Sequence, residues 1–387
     1  MARLGDILKI EASREKHDAE SYWLLNLDMV EQQTGRIISY NYVGEDNLDG
    51  SIIQFDTACV LYSKLRPNLN KVVVPEQNGF ATSEMLPLRP NKDVLSRDYL
   101  AVFLRSDSFV TWAVSKTAGA KMPRLGTKEL LSKEIPLPSL KEQERISNQF
   151  GKVDELIALR KAQLAKLDEL VKARFVEMFG DPASNPMGWP KMSMRQAIDK
   201  GIIEKPLDGN HGEKHPKTSD YVSVGIPFIM ANNLVDGSVD LENCAFITKE
   251  QADSLDKGFA HDGDVLLTHK GTIGRTAVLH TTYPYIMLTP QVTYYRPIHG
   301  LIPEFLKGYF DTEYFQGIIG NIASIGSTRA YIGITAQQEL PLIVPTIEKQ
   351  KSYATFVEQT NKTKLTIQAS LDKLEVMKKA LMQEYFG

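Results

Sequence analysis

Apolar residues recur at alternating spacings of three and four along two stretches of this chain. In the first, Phe150, Val153, Ile157, Leu164, Leu167, Val171 and Met178 form a heptad seam, interrupted at Arg160 and Arg174. In the second, Val357, Ile367, Leu371, Leu374, Leu381 and Tyr385 hold the same register, with Thr360, Lys364 and Lys378 at the gaps. Each pattern predicts a long helix. Ser139 with Glu142 three positions later is a capping box, and Thr346 after Pro345 is an N-cap candidate. Gly180 and Gly387 stand where a left-handed C-terminal residue is wanted. A helix from 140 to 179 spans ~60 Å. Neither seam is wide enough to be buried all round, so the two helices are expected to pair, as a spacer about three to four heptads deep. The alternative is two amphipathic helices, each packed on its own domain.

The segments between the helices read differently. Residues 1–138 and 181–345 carry short β-type runs broken by Gly, Asn, Asp and Pro, such as 59–62, 71–74, 264–268 and 291–295. Helical stretches at 97–115 and 302–319 interleave with them. The two halves are copies of one unit. An offset of 207 places Pro138 on Pro345, Gln143 on Gln350, Leu164 on Leu371, Gly126 on Gly333 and Gly180 on Gly387. The expected fold is therefore α+β: mixed domains at 1–138 and 181–345, separated by long antiparallel helices at 139–180 and 346–387, with pseudo-two-fold symmetry. The turn-rich 181–190 stretch links the first helix to the second domain.

Composition narrows the function. The 387 residues include 45 basic and 48 acidic side chains, for a net charge of −3. No window approaches the roughly 20 apolar residues of a membrane helix, and the first residues lack the apolar core of a secretory signal. Cys59 and Cys244 are too few and too far apart for a disulfide framework or a zinc cluster. A reducing cytoplasm is expected, with no membrane association. The acidic balance argues against nucleic acid only on average, because net charge hides locally polarised surfaces.

The chain contains no phosphate loop, dinucleotide fingerprint, zincin motif or nucleophile elbow, and no catalytic residue, metal or cofactor is expected. His211 and His215 have i, i+4 spacing, but Gly212 and Pro216 argue for a solvated loop. Asn185-Pro186-Met187 lacks the aromatic that a methyltransferase loop would stack on a base, and reads as a linker turn. The polar clusters say more. Residues 60–72 carry Lys64, Arg66 and Lys71 beside Tyr62, Ser63 and Asn68, with no acid. Residues 114–128 add Lys116, Lys121 and Arg124. In the second copy, acid-free 265–275 holds Thr268, His269, Lys270, Thr272 and Arg275, and 324–331 holds Ser327, Thr328, Arg329 and Tyr331. Cations, hydroxyls and glycine-opened backbone suit phosphates and base edges, and this inventory recurs at equivalent places. All of these residues are candidate DNA contacts.

The order of motifs resembles the DNA-specificity subunits of type I restriction-modification systems, over essentially the whole chain. The resemblance rests on residues 135–143 (Ile135-Pro136-Leu137-Pro138 onward) leading into the first helix, and on Val344-Pro345-Thr346 leading into the second. It rests also on Phe179-Gly180-Asp181-Pro182, Asn185-Pro186-Met187-Gly188-Trp189 and Tyr62-Ser63-Lys64-Leu65-Arg66-Pro67. Gly263-Asp264-Val265 running into Gly271-Thr272-Ile273-Gly274, and Gly326-Ser327-Thr328-Arg329, complete it. The resemblance implies two target-recognition domains, each reading one half of a bipartite double-stranded DNA site, with the helix pair as a ruler. It implies a subunit without catalysis of its own, partnered by two methyltransferase subunits and by restriction subunits. A helix of ~60 Å bounds the domain separation at about 17 base pairs. The alternative is a standalone sequence-specific or architectural DNA-binding protein without methyltransferase partners; a duplicated enzyme is a third possibility.

Overall fold

The computed structural model describes residues 1–12, 20–44, 46, 48, 52–119, 121–324 and 330–387. The chain divides into two compact units, Met1–Lys161 with Gln368–Gly387, and Ala162–Ile367.

In the first unit, strands Leu8–Ile10, Met85–Pro90, Val60–Ser63 and Val72–Val73 form one antiparallel sheet in that order. A second sheet runs Tyr42–Val43, Tyr22–Leu25, Gly79–Thr82, Ile52–Phe55, with the central pair parallel. The 97–115 stretch is two helices rather than one, Arg97–Leu104 and Asp107–Ser115. Ser106 breaks it by capping the second, its hydroxyl oxygen accepting from the Phe109 N–H at 3.3 Å. These helices cover the first sheet, and Tyr99, Phe103 and Phe109 fill the core between them.

The second unit repeats the plan. Leu207–Asp208, Val292–Tyr295, Val265–Lys270 and Thr272–Val278 form the first sheet, in the same order and antiparallel. Ala245–Ile247, Ile226–Ile229, Ile286–Leu288 and Phe259–Ala260 form the other, again with the central pair parallel. Here too the predicted helix is split, into Pro303–Phe310 and Glu313–Ser324. The Thr312 hydroxyl accepts from the Phe315 N–H at the break.

The duplication reaches single atoms. Gln143 and Gln350 are both fully buried. The Gln143 amide oxygen accepts from the Ser96 N–H at 2.8 Å, and its NH₂ donates to the carbonyls of Val94 and Pro138, both at 2.9 Å. Gln350 makes the same three bonds, to the Ile302 N–H and to the carbonyls of Gly300 and Pro345. A buried amide so satisfied locks the start of each long helix to its domain.

The long helices run Leu140–Phe179 and Ile347–Phe386. In the first unit, Asp154 pairs with Lys378 at 2.6 Å, Lys161 with Glu375 at 3.3 Å, and Arg145 donates to the Tyr385 hydroxyl at 2.9 Å. Positions rise along one helix as they fall along the other, so the pairing is antiparallel. In the second unit, Asp168 pairs with Lys364, and the Arg174 guanidinium lies 5.6 Å from the Phe356 ring centre. The seam residues are inward. Phe150, Val153, Leu371 and Leu381 are buried, and Ile157, Leu164, Leu167, Val171, Val357, Ile367 and Leu374 are half-buried. Lys364 and Lys378 occupy seam positions by laying their stems inward and reaching an aspartate on the facing helix.

Asn185 folds the linker turn, accepting from the Trp189 N–H at 3.0 Å and donating to its carbonyl at 2.9 Å. Among the described residues no helix is long and apolar enough to cross a membrane.

Candidate nucleic-acid interface

The structure joins, in each unit, the two clusters that lie far apart in the chain. In the first unit, the Arg66 N–H donates to the Pro123 carbonyl at 2.8 Å and the Leu125 N–H to the Lys64 carbonyl at 2.9 Å. Leu65 and Arg124 form the bridge between them. A third segment closes the junction, because the Lys64 N–H donates to the Glu84 carbonyl at 3.0 Å. In the second unit, the Gly271 N–H donates to Ala330 at 3.0 Å and the Ile332 N–H to His269 at 2.9 Å, around a Lys270–Tyr331 bridge. The third segment is Gln291, whose carbonyl accepts from the His269 N–H at 2.9 Å. The backbone frame is the same twice. Five positions correspond: Lys64 and His269, Leu65 and Lys270, Arg66 and Gly271, Glu84 and Gln291, Arg124 and Tyr331.

Arg66 has φ of 49° and Gly271 has φ of 78°. Both are left-handed at the hairpin tip, a conformation costing a non-glycine residue roughly 1 kcal/mol. Arg66 is exposed and makes no ion pair or side-chain hydrogen bond among the described residues. Pro67 follows as the first residue of a short 3₁₀ turn, fixing the tip.

The side chains diverge. Arg124 forks onto Glu84, with Nη2 at 2.9 Å and Nε at 3.1 Å from Oε1. This bond, aided by the field of Lys64, holds the Glu84 carboxyl below the usual carboxylate range. In the second unit the Tyr331 ring, 42% exposed, lies 5.8 Å from His269 and 6.0 Å from the Lys270 ammonium. Gln291 is exposed, and its amide makes no hydrogen bond among the described residues.

The other candidates scatter. Tyr62, Ser63, Thr268 and His269 are buried and present no surface to a ligand in this conformation. Thr268 instead accepts from the Arg275 N–H at 2.9 Å. His269 Nδ1 and the Thr293 hydroxyl are 2.8 Å apart, and Nε2 faces Asp208 at 3.8 Å. Burial pushes its imidazole down to about 4 despite that carboxylate, so the ring is neutral. Burial also raises the Asp208 carboxyl, but hydrogen bonds from Lys257 and His211 outweigh it and hold the group below its ordinary value. Lys71 spends its ammonium on the Leu27 carbonyl. Asn68, Lys116, Lys121, Thr272 and Arg275 are exposed, and Lys64 and Lys270 are half-buried. Arg275 turns Nη1 toward the Leu234 carbonyl at 3.3 Å. Lys116 precedes the hairpin in which Thr117–Ala118 pairs with Arg124–Leu125, and Lys121 lies between its two strands. Ser327, Thr328 and Arg329 lie outside the described residues.

Neither His211 nor His215 is a free loop residue. His211 is bonded to Asp208 at 2.8 Å, and His215 packs on Phe228 at 5.6 Å. Among the described residues no three His, Cys, Asp or Glu side chains are grouped to hold a metal. Glu84 and Gln291 escape a search for basic clusters because one is acidic and the other neutral. The 207 offset pairs them, and that is the signal that finds them.

The junction is a duplicated polar surface on a mixed α/β frame, and parts of the chain that carries it are similar to known proteins. Residues 1–169 match the family described as the type I restriction modification DNA specificity domain. The chain is 25% identical over 154 residues to the EcoDI specificity subunit of an Escherichia coli type I restriction enzyme, covering 39% of this chain and 34% of that one. It is 21% identical over 280 residues to the EcoKI specificity subunit of Escherichia coli strain K12, covering 70% and 60%. The matches thus span a third to three fifths of these relatives. The fold is shared with the S subunit of the type I restriction-modification system of M. genitalium, at a TM-score of 0.61 and 13% identity, over 100% of this chain and 95% of that one. The first 169 residues thus match this family's model, and parts of the chain are similar to type I specificity subunits.

Proposed function

We propose that this protein recognises a bipartite double-stranded DNA site, each unit reading one half, and so positions methyltransferase and restriction subunits of a type I complex. The observation that carries this reading is the junction, built twice from the same backbone bonds around a solvent-accessible cation, the exposed Arg66 in one unit and the half-buried Lys270 in the other. Its amides and glycine-type turns suit phosphate oxygens, and the side chains at its tip suit base edges. Because the two tips differ in sequence, the half-sites need not be palindromic. The chain supplies recognition, while catalysis belongs to its partners: two methyltransferase subunits and the restriction subunits. The complex works on cytoplasmic DNA.

The test is salt-dependent binding of the full chain, co-expressed with its neighbouring methyltransferase, to duplexes carrying the motif methylated in the host. Lys64→Ala and Arg66→Ala should each weaken binding. For phosphate contacts each should reduce the salt slope by about one. Unchanged isotherms in both would remove this face from the interface. A standalone DNA-binding protein would bind equally well without the methyltransferase.

A further inference from the structure

We propose that Gln291 is a base-reading residue of the second unit and recognises adenine, with Tyr331 holding the tip beside it. The inference rests on the DNA-reading function proposed above. Gln291 lies in the turn before strand Val292–Tyr295, with its carbonyl fixed by the His269 N–H at 2.9 Å. Its backbone is therefore pinned to the junction, while its amide is exposed and uncommitted among the described residues.

A carboxamide presents one donor and one acceptor side by side, the pattern that matches adenine N6 and N7 in the major groove. The equivalent side chain of the first unit cannot do this. Glu84 has only acceptors, and Arg124 occupies them through three contacts of 2.9–3.2 Å. In the second unit that arginine is replaced by Tyr331, which offers no charge to capture a side chain at position 291. Its ring instead flanks His269 and Lys270, steadying the tip on which the lysine is carried. One backbone frame thus carries an internally closed Glu–Arg pair in one copy and an open Gln beside an aromatic in the other.

The experiment is methylome sequencing of a host carrying the full chain with its neighbouring methyltransferase, as wild type, Gln291→Ala and Gln291→Glu. The wild type reports a bipartite motif. Gln291→Ala should relax one adenine-containing position of one half-site, lowering its discrimination about tenfold. Gln291→Glu should move that position toward cytosine, whose N4 group donates to a carboxylate. The other half-site should stay unchanged in both, and since the backbone bond to His269 is kept, melting should match wild type. An unchanged motif, or a uniform loss of modification at all sites, overturns the assignment and leaves DNA reading intact. A wild type without any bipartite motif would instead refute the function on which the assignment rests.

Discussion

The two junctions share a backbone and differ in almost everything that a ligand would meet. In the first, Arg124 and Glu84 neutralise each other, leaving Lys64 and the left-handed Arg66 as the outward cations. In the second, a buried neutral histidine replaces the first lysine, and a tyrosine, a lysine and an amide make the surface. The difference shows which parts of the unit carry the frame. Positions fixed through N–H and carbonyl groups place few demands on the side chain, so base recognition can change without disturbing the sheet beneath it. Where a side chain itself builds the frame, the copies agree, as at Gln143 and Gln350.

That contrast can be broken by experiment. The largest effect should come from Gln143→Ala and Gln350→Ala, each orphaning one buried N–H and two carbonyls. Each should destabilise its own unit by about 2–4 kcal/mol in denaturant unfolding, and by similar amounts. A large inequality would deny the equivalence.

Next comes acid. His269 is depressed to about 4 in the fold, so the unfolded chain gains its proton first as pH falls. The second unit should lose of order 3 kcal/mol between pH about 6.5 and about 4, and the loss should flatten in His269→Gln. Asp208 adds to it below the ordinary carboxylate range, where its own depressed group is finally protonated. The first unit has Lys64 at the matching position. Its acid response should come instead from Glu84, whose stabilising pair persists above the ordinary carboxylate range and is lost as pH falls through the lowered value. Hydrogen exchange resolved by unit would separate the two responses.

Smaller still are the tips. Gly271→Ala should cost about 1 kcal/mol, because its φ is left-handed although the space beside it is open. Arg66→Gly should shift stability by less than about 0.5 kcal/mol, since relief of strain offsets the added chain entropy. It should still lower the salt slope of DNA binding by about 0.9. Equal losses of stability at both tips would mean that Arg66 is not strained.

The long helices and the repeat are legible in the sequence because both are periodic, and a period of three and four or an offset of 207 survives without knowledge of contacts. The mixed α/β character is legible too, from short β-type runs between turn residues. The helix breaks at Ser106 and Thr312 are missed, since short polar runs such as 105–108 and 311–313 read equally well as the exposed face of one continuous helix. The surface is only partly legible. Basic residues draw attention, but composition cannot show that Lys71 is spent on a carbonyl, that Arg124 is closed by an acid 40 positions upstream, or that His269 is buried. Nor does a charge search notice an exposed glutamine whose importance comes from the backbone holding it.

The most direct test of the proposed function replaces residues 1–138 with the corresponding segment of a type I specificity subunit and reads the methylated motif of a host carrying the hybrid with a type I methyltransferase. Two independent readers predict a motif in which one half-site changes and the other is kept. A motif in which both halves change together, or neither does, would contradict the account.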